Sequence, residues 1–245
     1  MDILGSWASS QKALADLHTI FIENTPFPHV LIENFFDLDI ANDLSDLFPD
    51  HMDQTDQTDQ TDLSWKCYNN PLEYKYAHNT IDILPQSFKN VFTLLQGPVF
   101  MDLMKQITGI KNLENDPYLH GAGLHFYPNK GKLDLHLDYS LHPITRKERR
   151  VNLIIYINKN FKSNWGGDLE LRHPLDRSMK KRIQPTFNSA ALFQTSDISI
   201  HGVPEEINCP VGEGRKSIAI YYVSEPRSDM IVRHKAEFLE FWLTI

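Results

Sequence analysis

The sequence predicts one mainly β domain, with N-terminal helices packed outside a C-terminal jelly-roll of about eight strands. Three observations lead there. The N-terminal segment and residues 85–107 carry apolar side chains at intervals of three and four, the period of an amphipathic helix. From about residue 117 the pattern changes to short runs rich in Tyr, Ile, Val and Phe, broken by Pro, Gly and Asn. Helices lead and closely spaced strands follow, which favours a sandwich or barrel over a parallel α/β sheet.

In chain order, Leu14, Leu17, Ile20 and Phe21 mark the inner face of a first helix. Residues 27–33 alternate well enough for a short strand. Asp37 is the N-cap expected of a second helix over 40–48, with Leu44 and Leu47 inward and Pro49 ending it. Residues 53–62 repeat Asp-Gln-Thr without one apolar side chain, so they read as a mobile loop rather than a metal-binding one. Phe88, Val91, Phe92, Leu95, Val99, Phe100 and Leu103 define helix over 85–107, which Gly97-Pro98 kinks or divides. Strands are expected at 119–126, 133–138, 151–158, 168–172, 182–183, 189–194, 198–201 and 217–223. The whole, 1–245, reads as one domain: 1–116 mostly helical support, 117–224 the jelly-roll, and 225–245 a tail.

Composition narrows the function classes. Two cysteines, Cys67 and Cys209, are too few for a disulfide framework and form no C-x-x-C pair, so a reduced intracellular chain is expected. No apolar run approaches the roughly 18 residues of a membrane span. The first residues lack the basic start of a signal peptide, which makes the cytoplasm the default. A net charge of −8 argues against a nucleic-acid partner. The basic stretches Arg146-Lys147-Glu148-Arg149-Arg150 and Lys180-Lys181-Arg182 read as solvated faces. Gly166-Gly167 reads as a turn, and His125, His142 and His173 as ordinary loop or strand histidines.

The chemistry concentrates in Leu135-His136-Leu137-Asp138. On a strand, residues i and i+2 share a face, so His136 and Asp138 project together. They supply two of the three ligands of a 2-His-1-carboxylate centre, which suits Fe(II) with three open positions better than tetrahedral zinc. His-x-Asp alone is a weak signal. His201, near the far end of the strand-rich region, is the third ligand that a converging barrel can bring in. Arg215 supplies the cationic fork that the far carboxylate of an iron-chelating 2-oxo acid needs. Ser217 faces the same way, and Tyr127 and Tyr156 are within reach of the same pocket. No Ser or Cys nucleophile with a companion base is apparent.

The stretch from Tyr127 to Tyr222 resembles the 2-oxoglutarate/Fe(II) dioxygenase superfamily, most closely its prolyl 4-hydroxylase-like branch. The matching pieces, in order, are Tyr127-Pro128-Asn129-Lys130-Gly131, His136-Leu137-Asp138, Asn152-Leu153-Ile154-Ile155-Tyr156-Ile157-Asn158, Trp165-Gly166-Gly167-Asp168-Leu169, His201 and Arg215-Lys216-Ser217. The resemblance implies a distorted double-stranded β-helix, with iron on His136, Asp138 and His201 and 2-oxoglutarate held by Arg215. Tyr127 and Ser217 would assist the cosubstrate, and Tyr156 matches an aromatic position near it. It also implies Fe(II), 2-oxoglutarate and O2 as the reacting set, with ascorbate in support, and succinate and CO2 as coproducts of C–H hydroxylation. Arg215 stands later after His201 than the family's usual spacing, and residues 204–210 read as the inserted loop that accounts for it.

The expected substrate is peptidyl proline in a protein or, alternatively, a small molecule or saccharide. Residues 53–62 and 141–150 are the candidate closing loops for a peptide, whereas a deep pocket lined by the N-terminal helices would favour a small substrate. A non-catalytic cupin-like module is the reading from another class. It gives no physical reason to keep all of His136, Asp138, His201 and Arg215.

Overall fold

The computed structural model describes residues 3–49, 65–176 and 178–239. The reading of 53–62 therefore lies outside the described residues. Four α-helices are present among them: α1 (Gln11–Glu23), α2 (Leu38–Asp46), α3 (Gln86–Gln96) and α4 (Pro98–Thr108). Ser10 caps α1 by accepting from the Ala13 amide, and Asp37 caps α2 by accepting from Asp39. Gly97, in an extended conformation, ends α3, and Pro98 opens α4 at the one helical position where a missing N–H costs nothing. None of these helices is long and apolar enough to cross a membrane.

The strands are β1 (His29–Glu33), β2 (Lys66–Asn70), β3 (Glu73–His78), β4 (Glu114–Asn115), β5 (Gly123–Pro128), β6 (Lys132–Leu137) and β7 (Glu148–Tyr156). They continue with β8 (Leu169–Arg172), β9 (Lys180–Ile183), β10 (Ser189–Gln194), β11 (Ile200–Val203), β12 (Gly214–Ser224) and β13 (Glu237–Phe238). Every pairing is antiparallel, and the order β1-β10-β7-β12-β5-β3-β6-β11-β8-β9 curls into a nearly closed jelly-roll. The expected fold class is the observed one.

Side-chain alternation then divides the two faces of the larger sheet. Leu124, Phe126, Leu153, Ile155, Ile218 and Ile220 point outward into one core shared with the helices, where Phe21, Phe88 and Phe100 are fully buried. Each such phenylalanine contributes about 1.5–3 kcal/mol of transfer free energy. The opposite face looks into the barrel. It carries His125, Tyr127, Asn152, Arg215 and Ser217 around a cavity of about 420 Å³.

Two expectations are modified. Residues 1–116 hold, beside their helices and β1, a hairpin that the sequence pattern did not mark. This is β2–β3, its turn closed by Asn70 Oδ1 accepting from the Leu72 and Glu73 amides. Its pattern is not apolar because β3 faces a polar cavity with Lys75 and Ala77 rather than a packed core. Strand β13 likewise sits in the segment expected to be a tail. The second concerns the stretch 146–150, which is not a solvated face. Glu148, Arg149 and Arg150 are buried in β7, because each charge has a partner. Glu148 accepts from Arg227 Nη2 at 2.7 Å, Arg150 donates to Ser224 Oγ at 3.1 Å, and Arg149 reaches Asp138. The expected closing loop 141–150 thus ends where β7 begins. Lys180, Lys181 and Arg182 are exposed, as a solvated face requires.

Candidate active site

Strands β6 and β11 build the centre. Their register sets His136 directly opposite His201, with ring centroids 4.5 Å apart, and Asp138 follows the end of β6 on the same side. Each imidazole is oriented in the same way. Nδ1 of His136 lies 2.9 Å from the Asp134 carbonyl, and Nδ1 of His201 lies 2.9 Å from the Ser199 carbonyl. A carbonyl only accepts, so each Nδ1 carries the proton and donates it, leaving the Nε2 lone pair facing the cavity. Nε2 of His136 is 3.7 Å from Asp138 Oδ1, and Nε2 of His201 is 3.6 Å from Oδ2. The three donor atoms lie within 4.8 Å of one another, and all three residues are buried. Phe238 packs on the His136 ring and Phe193 on the His201 ring, which keeps solvent from their flanks.

The electrostatics suit a cation. Burial alone would raise the Asp138 pKa, but the Arg149 guanidinium, with His201 and His136, holds it well below the usual carboxylate range. Burial, reinforced by His136, lowers His201 to about 4. At neutral pH the set therefore offers an anionic oxygen beside a neutral imidazole nitrogen, the protonation states that metal ligation needs. Two histidines and one carboxylate, with their donor atoms converging on one point of the cavity, fit a divalent iron.

A second group lies deeper, where β5, β12 and β7 run side by side. Arg215 is paired with Tyr127 on β5, and Ser217 with Tyr156 on β7. Arg215 is 2% exposed, and its guanidinium carbon sits 5.0 Å from the Tyr127 ring centroid and 4.8 Å from that of Tyr156. Its Nε and Nη2, with Ser217 Oγ and the Tyr156 hydroxyl, find no hydrogen-bond partner among the described residues. A buried cation without an anion costs several kcal/mol, so this fork fits a bound carboxylate. Tyr156 does not line the cavity itself; it backs the guanidinium.

The cavity contains groups that the sequence did not single out as site residues. Lys75 enters from β3, its ammonium 3.1 Å from Glu73. Buried Asn152 leaves its Oδ1 unpartnered. Asn152 lies four residues before Tyr156, an even interval that places it on the same face of the strand, so that residue was findable. His125 also lines the cavity; burial, then Lys75 and Arg215, lower its pKa to about 3. His142 lies outside, beside Asp116 with Nε2 3.2 Å from its carboxylate, and His173 accepts from two amides of its own loop. Gly166 and Gly167, both at positive φ, form the expected turn.

Residues 122–223 match the family described as the 2OG-Fe(II) oxygenase superfamily. No curated protein matches the sequence. Among solved structures, the chain is similar to a prolyl-4-hydroxylase from Pseudomonas putida, with a TM-score of 0.58 and 15% identity over 87% of this chain and 100% of that one. It is similar to a Trichoplax adhaerens prolyl hydroxylase, solved with a hypoxia inducible factor peptide, with a TM-score of 0.59 and 15% identity over 90% and 94%. A 2OG-Fe(II) oxygenase family oxidoreductase from Burkholderia pseudomallei gives a TM-score of 0.59 at 12% identity over 92% and 96%. Residues 122–223 thus match the superfamily in sequence, and the solved structures share the fold.

Proposed function

Taking as premise that residues 122–223 are a 2OG-Fe(II) oxygenase segment, we propose that the protein is a 2-oxoglutarate-dependent dioxygenase that hydroxylates an unactivated C–H bond. The observation that carries this reading is the pairing of two half-finished sites in one cavity. One is a buried His-Asp-His set; the other is a buried guanidinium without an anion.

In this assignment His136, Asp138 and His201 hold Fe(II) on one face. Arg215, with Ser217 and Tyr127, holds the distal carboxylate of 2-oxoglutarate, and the Tyr156 ring supports the guanidinium. The bound metal and cosubstrate supply the activation of O2, with ascorbate as a supporting reductant. The chain supplies placement. Carbonyl-bound Nδ1 atoms fix the ligand rings, Phe193 and Phe238 exclude water, and neutral His125 adds no further cation beside Arg215 and Lys75.

For the substrate we favour a protein segment, with peptidyl proline the leading class. No residue of α1–α4 lines the cavity, so the helix-walled pocket expected of a small-molecule enzyme is not met. Beyond the strands of the barrel, the lining includes residues of the hairpin β2–β3 and Phe238 of β13, elements suited to meeting an extended chain. The Trichoplax adhaerens relative, with its bound peptide, supports the same choice.

The test is an anaerobic titration of metal-free protein with Fe(II) and then 2-oxoglutarate, followed in the visible range. A weak metal-to-ligand charge-transfer band is expected, and its loss in His136→Ala. Folded protein that gives no band is not an oxygenase of this kind, and a non-catalytic barrel takes its place.

A further inference from the structure

The carboxylate of the centre has a partner outside the His-Asp-His set. Arg149 is 4% exposed, and its Nη1 lies 3.3 Å from Asp138 Oδ2. Its guanidinium carbon is 3.4 Å from the Tyr221 ring centroid and 3.8 Å from that of Tyr139, so it is stacked against two aromatic faces. Nη2 donates to the His120 carbonyl at 3.1 Å and to the Tyr139 hydroxyl. The loop carrying His120 comes this close because Gly121 sits at φ +77°, where a Cβ would stand 3.3 Å from Nη2. Contacts from the segment after β6, from β12 and from the 120–121 loop thus fix one planar cation in place.

Asp138 is otherwise nearly symmetric. Oδ1 lies 3.7 Å from one imidazole and Oδ2 3.6 Å from the other, and either oxygen, or both, can meet a metal. Arg149 removes that symmetry by setting its charge against Oδ2 as an ion pair. We propose that Arg149 is a positioning residue that restricts Asp138 to one-oxygen ligation through Oδ1. It would thereby set the affinity for the metal. The inference rests on the metal assignment made above.

The experiment counts free Mn(II) by electron paramagnetic resonance during titration of the metal-free full chain, which involves no turnover. Wild type is expected to bind one equivalent and His136→Ala to lose it. Arg149→Gln is expected to bind about 10- to 100-fold more weakly, the usual consequence of removing a ligand's supporting partner. Arg149→Lys should recover only part of this, because an ammonium cannot reproduce the fork. The visible bands of the Co(II) form should also change in Arg149→Gln, as the freed oxygen closes on the metal. Thermal unfolding of each metal-free variant checks that it folds. If Arg149→Gln does not, Tyr221→Leu, which removes one stacking face, should show a smaller loss of affinity. A folded Arg149→Gln with wild-type Mn(II) affinity and an unchanged Co(II) spectrum overturns the proposal, and so does unchanged affinity in Tyr221→Leu when that variant is the one read. If wild type binds no Mn(II), or His136→Ala binds as wild type does, the metal assignment itself fails and takes this inference with it.

Discussion

Asp138 and Arg215 are both charges taken out of water, and they are accommodated in opposite ways. Asp138 has Arg149 inside the chain. Among the described residues, Arg215 has two aromatic faces but no ion pair, and two of its nitrogens find no acceptor. If a cosubstrate carboxylate completes it, Arg215→Gln should raise the KM for 2-oxoglutarate by about 10- to 100-fold, since a hydrogen bond to a charged group is worth about 1.5–3 kcal/mol. Steady-state kinetics read this directly, and an unchanged KM would remove Arg215 from the anchor. His136→Ala and Asp138→Ala should each abolish succinate formation, while the metal-free proteins stay folded. At this scale strand parity brought His136 and Asp138 together from the sequence alone. It failed for Arg149, because β7 and β12 slip register between Tyr222 and Val223. A one-residue bulge changes which side chain faces inward and leaves no mark in composition.

Among the elements, β1 and β5–β12 were readable, those that pack against the helices most plainly. Strands β5, β7, β10 and β12 carry a continuous apolar outer face, and that is the signal alternation reports. Strand β3 pairs with β2, β5 and β6, yet its inner face is Glu73, Lys75 and Ala77. A strand that lines a cavity is selected for what the cavity holds, and hydrophobic patterning does not detect it. The union of β3 with β5 has a specific requirement at Gly123, where φ is +138° and an added Cβ would stand 2.2 Å from the His78 carbonyl oxygen. Gly123→Ala should therefore destabilise the fold by about 2–4 kcal/mol. The urea midpoint measures it. A loss below about 0.5 kcal/mol would show that the two strands separate freely.

For the molecule as a whole, the cavity links stability to pH. Burial, then Lys75 and Arg215, lower His125 to about 3, against an ordinary histidine near 6.5. Between those values the unfolded chain binds the extra proton, so stability rises with pH across the window and falls as the solution is acidified. Above about 6.5 both states are neutral and this group adds no slope. Metal-free protein unfolded in urea at pH 7.5, 5.5 and 4.5 should show a falling midpoint, and His125→Gln should flatten the decline. An equal slope in both proteins would place the acid sensitivity elsewhere.

The pairing of Phe238 with His136 along β6 and β13 also bears on how the centre matures. The ribosome delivers β6 long before it delivers β13, and His201 and Arg215 emerge between them. A nascent chain that already carries His136 therefore holds an unfinished wall, open to solvent and without its partner imidazole. The three donor atoms are all made by residue 201, but the wall over the His136 ring closes only once β13 exists to pair with β6. Shelter of the centre therefore comes later in synthesis than its ligands.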